Sequence, residues 1–156
     1  MNDFVIRKGI EADLEQVLNL VKELAAYEKA PDEVEVTIKE MQNWGFGKDK
    51  LFEFFVAEHK HTIVGIALYY YKYSTWKGKC LFLEDIIITE TYRRFGLGSK
   101  LFNEVAIVAK QQQVRRMEWQ VLDWNKPAID FYKKYNAHLD AEWLNGKLTY
   151  QQLQFY

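Results

Sequence analysis

The sequence predicts a mixed α/β domain, and three observations carry that prediction. Apolar residues recur at helical spacing in two long segments, residues 12–29 and 97–112. Between those segments lie three runs rich in β-branched and aromatic residues, bounded by turn residues, as in an antiparallel meander. After the meander, helical and extended segments alternate, which is the order of βαβ units.

Each element has its own signal. A first strand is predicted over residues 4–10. The helix after it presents Leu14, Val17, Leu18, Val21, Leu24 and Ala25 on one face, and Pro31 closes it. Thr37 and Glu40 have capping-box spacing, so a short second helix starts at Thr37 and stops near Gly45. The run "LFEFFVAEHKHTIVGIALYYYKY" supplies two strands joined at a polar turn, residues 58–61. "CLFLEDIIIT" is a third, after a loop around Trp76 and Gly78. Past "YRRFGLGSK" a helix turns Leu101, Phe102, Val105, Val108 and Ala109 to one side. "RRMEWQVL" reads as the next strand. A short helix over about 127–135 follows, with Asn125 as its N-cap and Pro127 in its first turn. Two last strands flank Asn145-Gly146, a strong hairpin signal. The expected architecture is a mixed central sheet of about seven strands flanked by about four helices, in a single domain over residues 1–156.

Composition removes several classes of function. The chain is 49% hydrophobic and 16% aromatic, too apolar for a disordered tail. A net charge of -1 leaves no electrostatic footprint for nucleic acid. No apolar run approaches the roughly 20 residues of a membrane span, and charges interrupt the N-terminus where a signal peptide needs its apolar centre. One cysteine, Cys80, cannot form an internal disulfide, which fits a reducing compartment. The expected location is the cytoplasm, with no nucleic-acid or membrane partner. His59, His61 and His138 have no metal-ligand spacing with Cys80, so no metal is expected.

The stretch "YRRFGLGSK" carries two of the 8 glycines at a strand-to-helix junction. First-turn amides of a helix lack intrahelical partners and attract anions, and Arg93, Arg94 and Ser99 add donors. A turn that uses glycine to relieve backbone strain is the competing reading. Spacing excludes two phosphate motifs. A Walker loop needs four residues between its glycines, and the dinucleotide fingerprint needs a third glycine where Leu101 stands.

Arg93-x-x-Gly96-x-Gly98 after a strand resembles the Q/R-x-x-G-x-G/A signature of the GNAT acetyltransferases. The element order is similar as well. Five further blocks resemble the spermidine/spermine (diamine) and thialysine N-acetyltransferase branch: "FVIR" at 4–7, "KELAAYE" at 22–28, "GFG" at 45–47, "LEDI" at 83–86 and "WNKPAIDFYKKYNA" at 124–137. The resemblance implies a GNAT fold and acetyl-CoA as cosubstrate. Its pyrophosphate would lie on Arg93, Arg94, Phe95, Gly96, Leu97, Gly98 and Ser99. Its pantetheine arm would run along the backbones of Ile86, Ile87 and Ile88, with Asn125, Pro127 and Ala128 contributing from the later helix. The branch forms homodimers, so a homodimer is expected.

Acetyl transfer to an amine requires that the amine lose a proton, and an ammonium with a pKa near 10.4 is about one part in a thousand nucleophilic at neutral pH. Glu84 and Asp85 are consecutive acids in an otherwise apolar strand. Regular alternation lets at most one of them enter a given cleft. By resemblance Glu84 is the proton acceptor through water and a substrate contact, with Asp85 the lesser candidate. Tyr132 matches the family's catalytic tyrosine, a general acid for the departing thiolate, although an aromatic packing face explains it as well. Tyr27 and Glu28 match substrate-end residues, and Trp76 either walls the amine channel or is ordinary core.

Three departures stand out. Ser74 occupies a place where polyamine-specific members tend to carry an acid. Arg94 stands where glycine is usual, and Asn136 where a helix-ending glycine is expected. The expected activity is acetyl transfer from acetyl-CoA to a primary amine of a small polyamine or diamine, by direct attack in a ternary complex. Acetylation of an amino-acid side-chain amine such as thialysine, acetylation of a protein lysine, and a CoA-binding module without turnover stay open as alternatives.

Overall fold

The computed structural model describes residues 3–156, which divide into two units, one ending at Gln120 and the other running Val121–Tyr156. In the first unit, β1 (Phe4–Lys8), β2 (Glu53–His59), β3 (Thr62–Ser74), β4 (Gly78–Ile88) and β5 (Met117–Glu118) form one sheet in sequence order. The first three junctions are antiparallel and the β4–β5 junction is parallel. Helices α1 (Leu14–Tyr27), α2 (Ile38–Phe46) and α3 (Leu97–Gln111) belong to the same unit.

Strand alternation divides the core. Phe54, Val56, Ile66 and Ile87 face Leu14, Val17, Leu18 and Leu20 of α1 and Met41 of α2. Gly65 turns to the other face, where a Cβ would press on Ile88 and approach Leu101 of α3. That second face buries Phe55, Ala57, Ala67, Tyr69, Leu81 and Leu83 together with Leu97, Leu101 and Val105.

Local chemistry sets the boundaries. Arg7 of β1 grips Asp13 with two bonds, 2.8 and 2.9 Å, and Glu58 of β2 with one of 2.8 Å. Burial alone would raise the Asp13 carboxyl, but the bonds from Arg7 and the Ile10 amide hold it below its ordinary value. Helix α1 stops at Tyr27, short of residue 29, because Lys29 turns left-handed at φ 63. The Lys29 amide bonds the Ala26 carbonyl and the Ala30 amide bonds the Ala25 carbonyl, which closes the helix. The Thr37–Glu40 capping box forms as the spacing predicts, with the Glu40 amide on Thr37 Oγ1 at 3.2 Å.

The β3–β4 register slips once. Leu68 opposes Asp85 while Tyr69 opposes Leu83, so Glu84 is an extra residue, a β-bulge. The strand expected over residues 115–122 pairs with β4 at Met117 and Glu118 alone. β4 is its neighbour in the sheet, and the bulge at Glu84 follows two residues after the last paired position, where it ends regular pairing.

The second unit contains α4 (Lys126–Lys133) and α5 (Tyr150–Leu153). Asn125 caps α4 by accepting from the Ala128 amide at 3.3 Å, and Asn136 takes the left-handed conformation at φ 54 that a glycine would otherwise supply. The two strands expected around Asn145-Gly146 are absent among the described residues. The sheet therefore has five strands where about seven were expected. An isolated hairpin has little stability without a sheet to join. Thr149 and Gln152 instead form a capping box that opens α5.

Candidate active site

The bulge decides which side chains share a face. Tyr70 pairs with Phe82, and their rings lie 5.4 Å apart. Glu84 follows Phe82 by two residues and shares its face. In a regular strand Asp85 would then point away. The extra residue restores it: Leu68 lies on the Tyr70 face, and Asp85 opposes Leu68. Both acids therefore project to the α1 side, contrary to the expectation that one at most could do so.

The electrostatics agree with that placement. Tyr70 donates its hydroxyl hydrogen to Glu84 Oε2 at 2.8 Å, and burial together with Glu84 and Asp85 raises the Tyr70 pKa, keeping the phenol neutral. Glu84 itself is exposed. Asp85 is half-buried, and burial followed by the charges of Glu84 and Glu28 pushes its carboxyl up to about 6. Glu28, just past α1, is raised by burial. The structure thus brings Glu28, Glu84 and Asp85 into one acidic cluster with Tyr70 beside it.

Next to this cluster β4 leaves the ladder with β5. From Leu83 to Ile88 the strand has β3 on one side and no register with β5 on the other, so the backbone edge at Ile86, Ile87 and Ile88 opens away from the sheet. Arg93 Nε donates to the Ile88 carbonyl at 3.1 Å, and the Arg93 guanidinium lies 5.3 Å from the Tyr27 ring centroid. Glu23 of α1 accepts from Thr89 Oγ1 at 3.2 Å and from the Glu90 amide at 3.3 Å, which ties the loop to α1.

The loop itself has an anion-binding shape. Arg94 at φ 72 and Gly96 at φ 74 are both left-handed, and Leu97 starts α3 with its side chain buried. The Lys100 amide closes on the Gly96 carbonyl at 3.1 Å, so the amides of Leu97, Gly98 and Ser99 lie ahead of the helical ladder. Alternating backbone of this kind gathers amide hydrogens around a concavity that suits phosphate oxygens. The donor set therefore fits a pyrophosphate. Arg94 and Phe95 are exposed beside it.

One expected site residue of the first unit lies away from the cluster. Trp76 is in the β3–β4 turn, 83% exposed, about 20 Å along β4 from Glu84 at about 3.3 Å per residue. In that turn Ser74 Oγ accepts from the Trp76 and Lys77 amides at 3.3 and 3.2 Å, so the serine that departs from the polyamine pattern caps the turn. Tyr132, Asn125, Pro127 and Ala128 belong to the second unit. There Tyr132 is buried on α4, with the Phe131 ring 5.2 Å from its own.

The acetyltransferase (GNAT) family profile matches residues 14–137. The chain belongs to the GNAT acetyltransferase family. The enzyme is 40% identical over 141 residues to a thialysine N-epsilon-acetyltransferase of Bos taurus, an alignment covering 85% of this chain and 83% of that one. It is 34% identical to a spermidine/spermine N(1)-acetyltransferase-like protein 1 of Homo sapiens, over 88% of this chain and 21% of that protein. Its fold superposes on an aminoglycoside N-acetyltransferase solved in complex with CoA, with a TM-score of 0.73, 16% identity and coverage of 93% and 94%. Among the described residues no helix is long and apolar enough to cross a membrane, and no group of three or more His, Cys, Asp or Glu could hold a metal ion.

No local pattern in the sequence marks Tyr70 or Glu23, and none brings Asp85 to the face of Glu84. Tyr70 lay inside a run of aromatic residues with no local mark. Asp85 needed the register slip, which no local pattern encodes.

Proposed function

We propose that this GNAT enzyme transfers the acetyl group of acetyl-CoA to the primary amine of a small cationic substrate in a ternary complex. One observation carries the reading. The bulge in β4 places two carboxyls beside the point where that strand opens away from β5, next to the anion-binding loop of α3.

The roles follow from the donor sets. Amides at Leu97, Gly98 and Ser99, with Arg93 and Arg94, take the pyrophosphate. The backbone edge at Ile86, Ile87 and Ile88, which has no register with β5, takes the pantetheine arm, and an amide there polarises the thioester carbonyl. Asn125, Pro127 and Ala128, around the start of α4, add contacts to the CoA arm. Glu28, Glu84 and Asp85 attract the ammonium, with Tyr27 as a further substrate contact, while Trp76 in the distant β3–β4 turn takes no part. The Glu84–Asp85 pair accepts the proton through a water, Glu84 being the nearer to solvent. Burial and the neighbouring carboxylates push the Asp85 carboxyl up to about 6, and a proton affinity nearer neutral pH suits a base. The amine nitrogen then bonds the acetyl carbon, the carbon–sulfur bond breaks, and the Tyr132 hydroxyl gives its proton to the thiolate.

A diamine or polyamine is the substrate expected from the sequence. An amino-acid side-chain amine is favoured by one specific observation, the higher identity to the thialysine enzyme of Bos taurus. A homodimer fits the exposed apolar C-terminus, where Leu144, Phe155 and Tyr156 are 96%, 88% and 97% accessible. The whole chain acts as one catalytic domain in the cytoplasm on this reading. Thiol release from acetyl-CoA over a panel of diamines and lysine analogues tests the function. Tyr132→Phe should lower turnover by about a hundredfold at neutral pH. Unchanged turnover across pH would remove the general-acid role.

A further inference from the structure

A row of side chains crosses the α1 side of the sheet where β3, β4 and β5 run together. Tyr70 pairs with Phe82 across β3 and β4, and Phe82 pairs with Glu118 across β4 and β5. Paired residues point to one face, so these three share it, and Lys72, two residues after Tyr70, joins them. Contacts link the row from end to end. Arg116 Nε lies 3.4 Å from Glu118 Oε1, and Lys72 Nζ lies 3.4 Å from Glu118 Oε2. The same Lys72 ammonium sits over the Phe82 ring, 5.7 Å from its centroid. Phe82 packs on Tyr70 in turn, and the Tyr70 hydroxyl hydrogen goes to Glu84 Oε2.

The row ends on the one acid that most needs holding. Glu84 occupies the bulge, where the ladder with β3 loses its regular register, and its side chain is exposed. A long exposed carboxylate without a partner spreads over several rotamers. An aromatic side chain has two rotatable bonds, and Phe82 restrains the half-buried Tyr70 ring before its hydroxyl meets the carboxylate. Oε2 is thereby committed. Among the described residues no hydrogen bond reaches Oε1, which is the oxygen left for water. Burial and the adjacent acids disfavour the phenolate, so Tyr70 stays a donor throughout the neutral range.

We infer that Tyr70 is a positioning residue for acetyl transfer: it fixes Glu84 by Oε2 and leaves Oε1 to take the proton that a water draws from the amine. This rests on the acetyl-transfer reading and gives a role to a residue that the reading leaves without one. The amine nitrogen loses one proton to the water, the water passes one of its own to Oε1, and Tyr70 ends the step with its hydroxyl unchanged. Tyr70 thus acts through Glu84 and not on the reacting atoms. The charged groups around the bond are Asp85 and Glu28 among the acids, with Lys72 and Glu118 behind Phe82.

The experiment uses the full chain and the amine of highest turnover in the panel of diamines and lysine analogues. Tyr70→Phe keeps the ring and its contact with Phe82 and deletes the hydroxyl alone. Its kcat should fall about tenfold, with the KM for acetyl-CoA unchanged. A hydrogen bond donated to a carboxylate favours the charged form, so without it the acid pair holds its proton to higher pH. The acid limb of kcat/KM should therefore move up by about half a unit to one unit. In a Glu84→Ala background Tyr70 has nothing left to position, and Tyr70→Phe should cost less than about twofold. Equal losses in the two backgrounds, or an unmoved acid limb, would overturn the inference. Carboxyl titration followed by NMR, without acetyl-CoA, separates this role from the acetyl-transfer reading. An upward shift in Tyr70→Phe supports the hold on Glu84 even if the wild type transfers no acetyl group. Wild-type turnover, with neither titration nor kcat moved by Tyr70→Phe, leaves the acetyl-transfer reading standing and overturns the role of Tyr70.

Discussion

Replacing Asp85 by asparagine should make the protein more stable and less active, and the stability gain should depend on pH. Burial and the neighbouring charges of Glu84 and Glu28 raise the Asp85 carboxyl from its ordinary 3.8 to about 6. At about 1.36 kcal/mol per tenfold change in proton affinity, the ionised side chain costs the folded state about 3 kcal/mol. The folded protein binds more protons than the unfolded one between pH 3.8 and about 6. The stability conferred by the bound proton is complete below 3.8 and is lost as pH rises through 6. Asparagine keeps the shape and removes the charge. Urea unfolding should therefore find Asp85→Asn more stable by about 2–3 kcal/mol at pH 7.5 and nearly equal to wild type at pH 4. Among the described residues no hydrogen bond or ion pair reaches the Asp85 carboxyl, so the exchange breaks none. Acetyl transfer should fall about a hundredfold at pH 7.5 through loss of the base. A variant less stable than wild type at pH 7.5, or a gap that does not change with pH, would refute the reasoning.

Two other perturbations separate strain from function. Arg94→Gly relieves a left-handed arginine worth about 1–2 kcal/mol but adds unfolded-state freedom worth about 0.5–1 kcal/mol, so urea unfolding should shift by less than about 1 kcal/mol. If Arg94 clamps the pyrophosphate, the KM for acetyl-CoA should nevertheless rise several-fold, and an unchanged KM makes it a bystander. Gly9→Ala drives a methyl into the Phe54 ring, and should destabilise the protein by about 1–3 kcal/mol in the same unfolding assay.

Much of the scaffold was legible locally. The α1 stripe, the Thr37–Glu40 box, the Asn125 cap and the left-handed Asn136 each depend on residues within a few positions of one another, and each forms as read. The C-terminal segment departs from its local signal for a physical reason. Asn145-Gly146 is a local hairpin signal, but strands need neighbours, whereas the capping box at Thr149 and Gln152 needs none.

The sequence by itself determined the elements of the first unit, the glycine loop before α3 and the acids gathered beside it, because helix periodicity, capping and turn chemistry act over a few residues. Tertiary structure decided how those acids are used. One extra residue in β4 is invisible to a period of two until β3 supplies the register, and that slip turns Glu84 and Asp85 to the same face. Pairing across strands, not spacing along one, made Tyr70 the partner of Glu84.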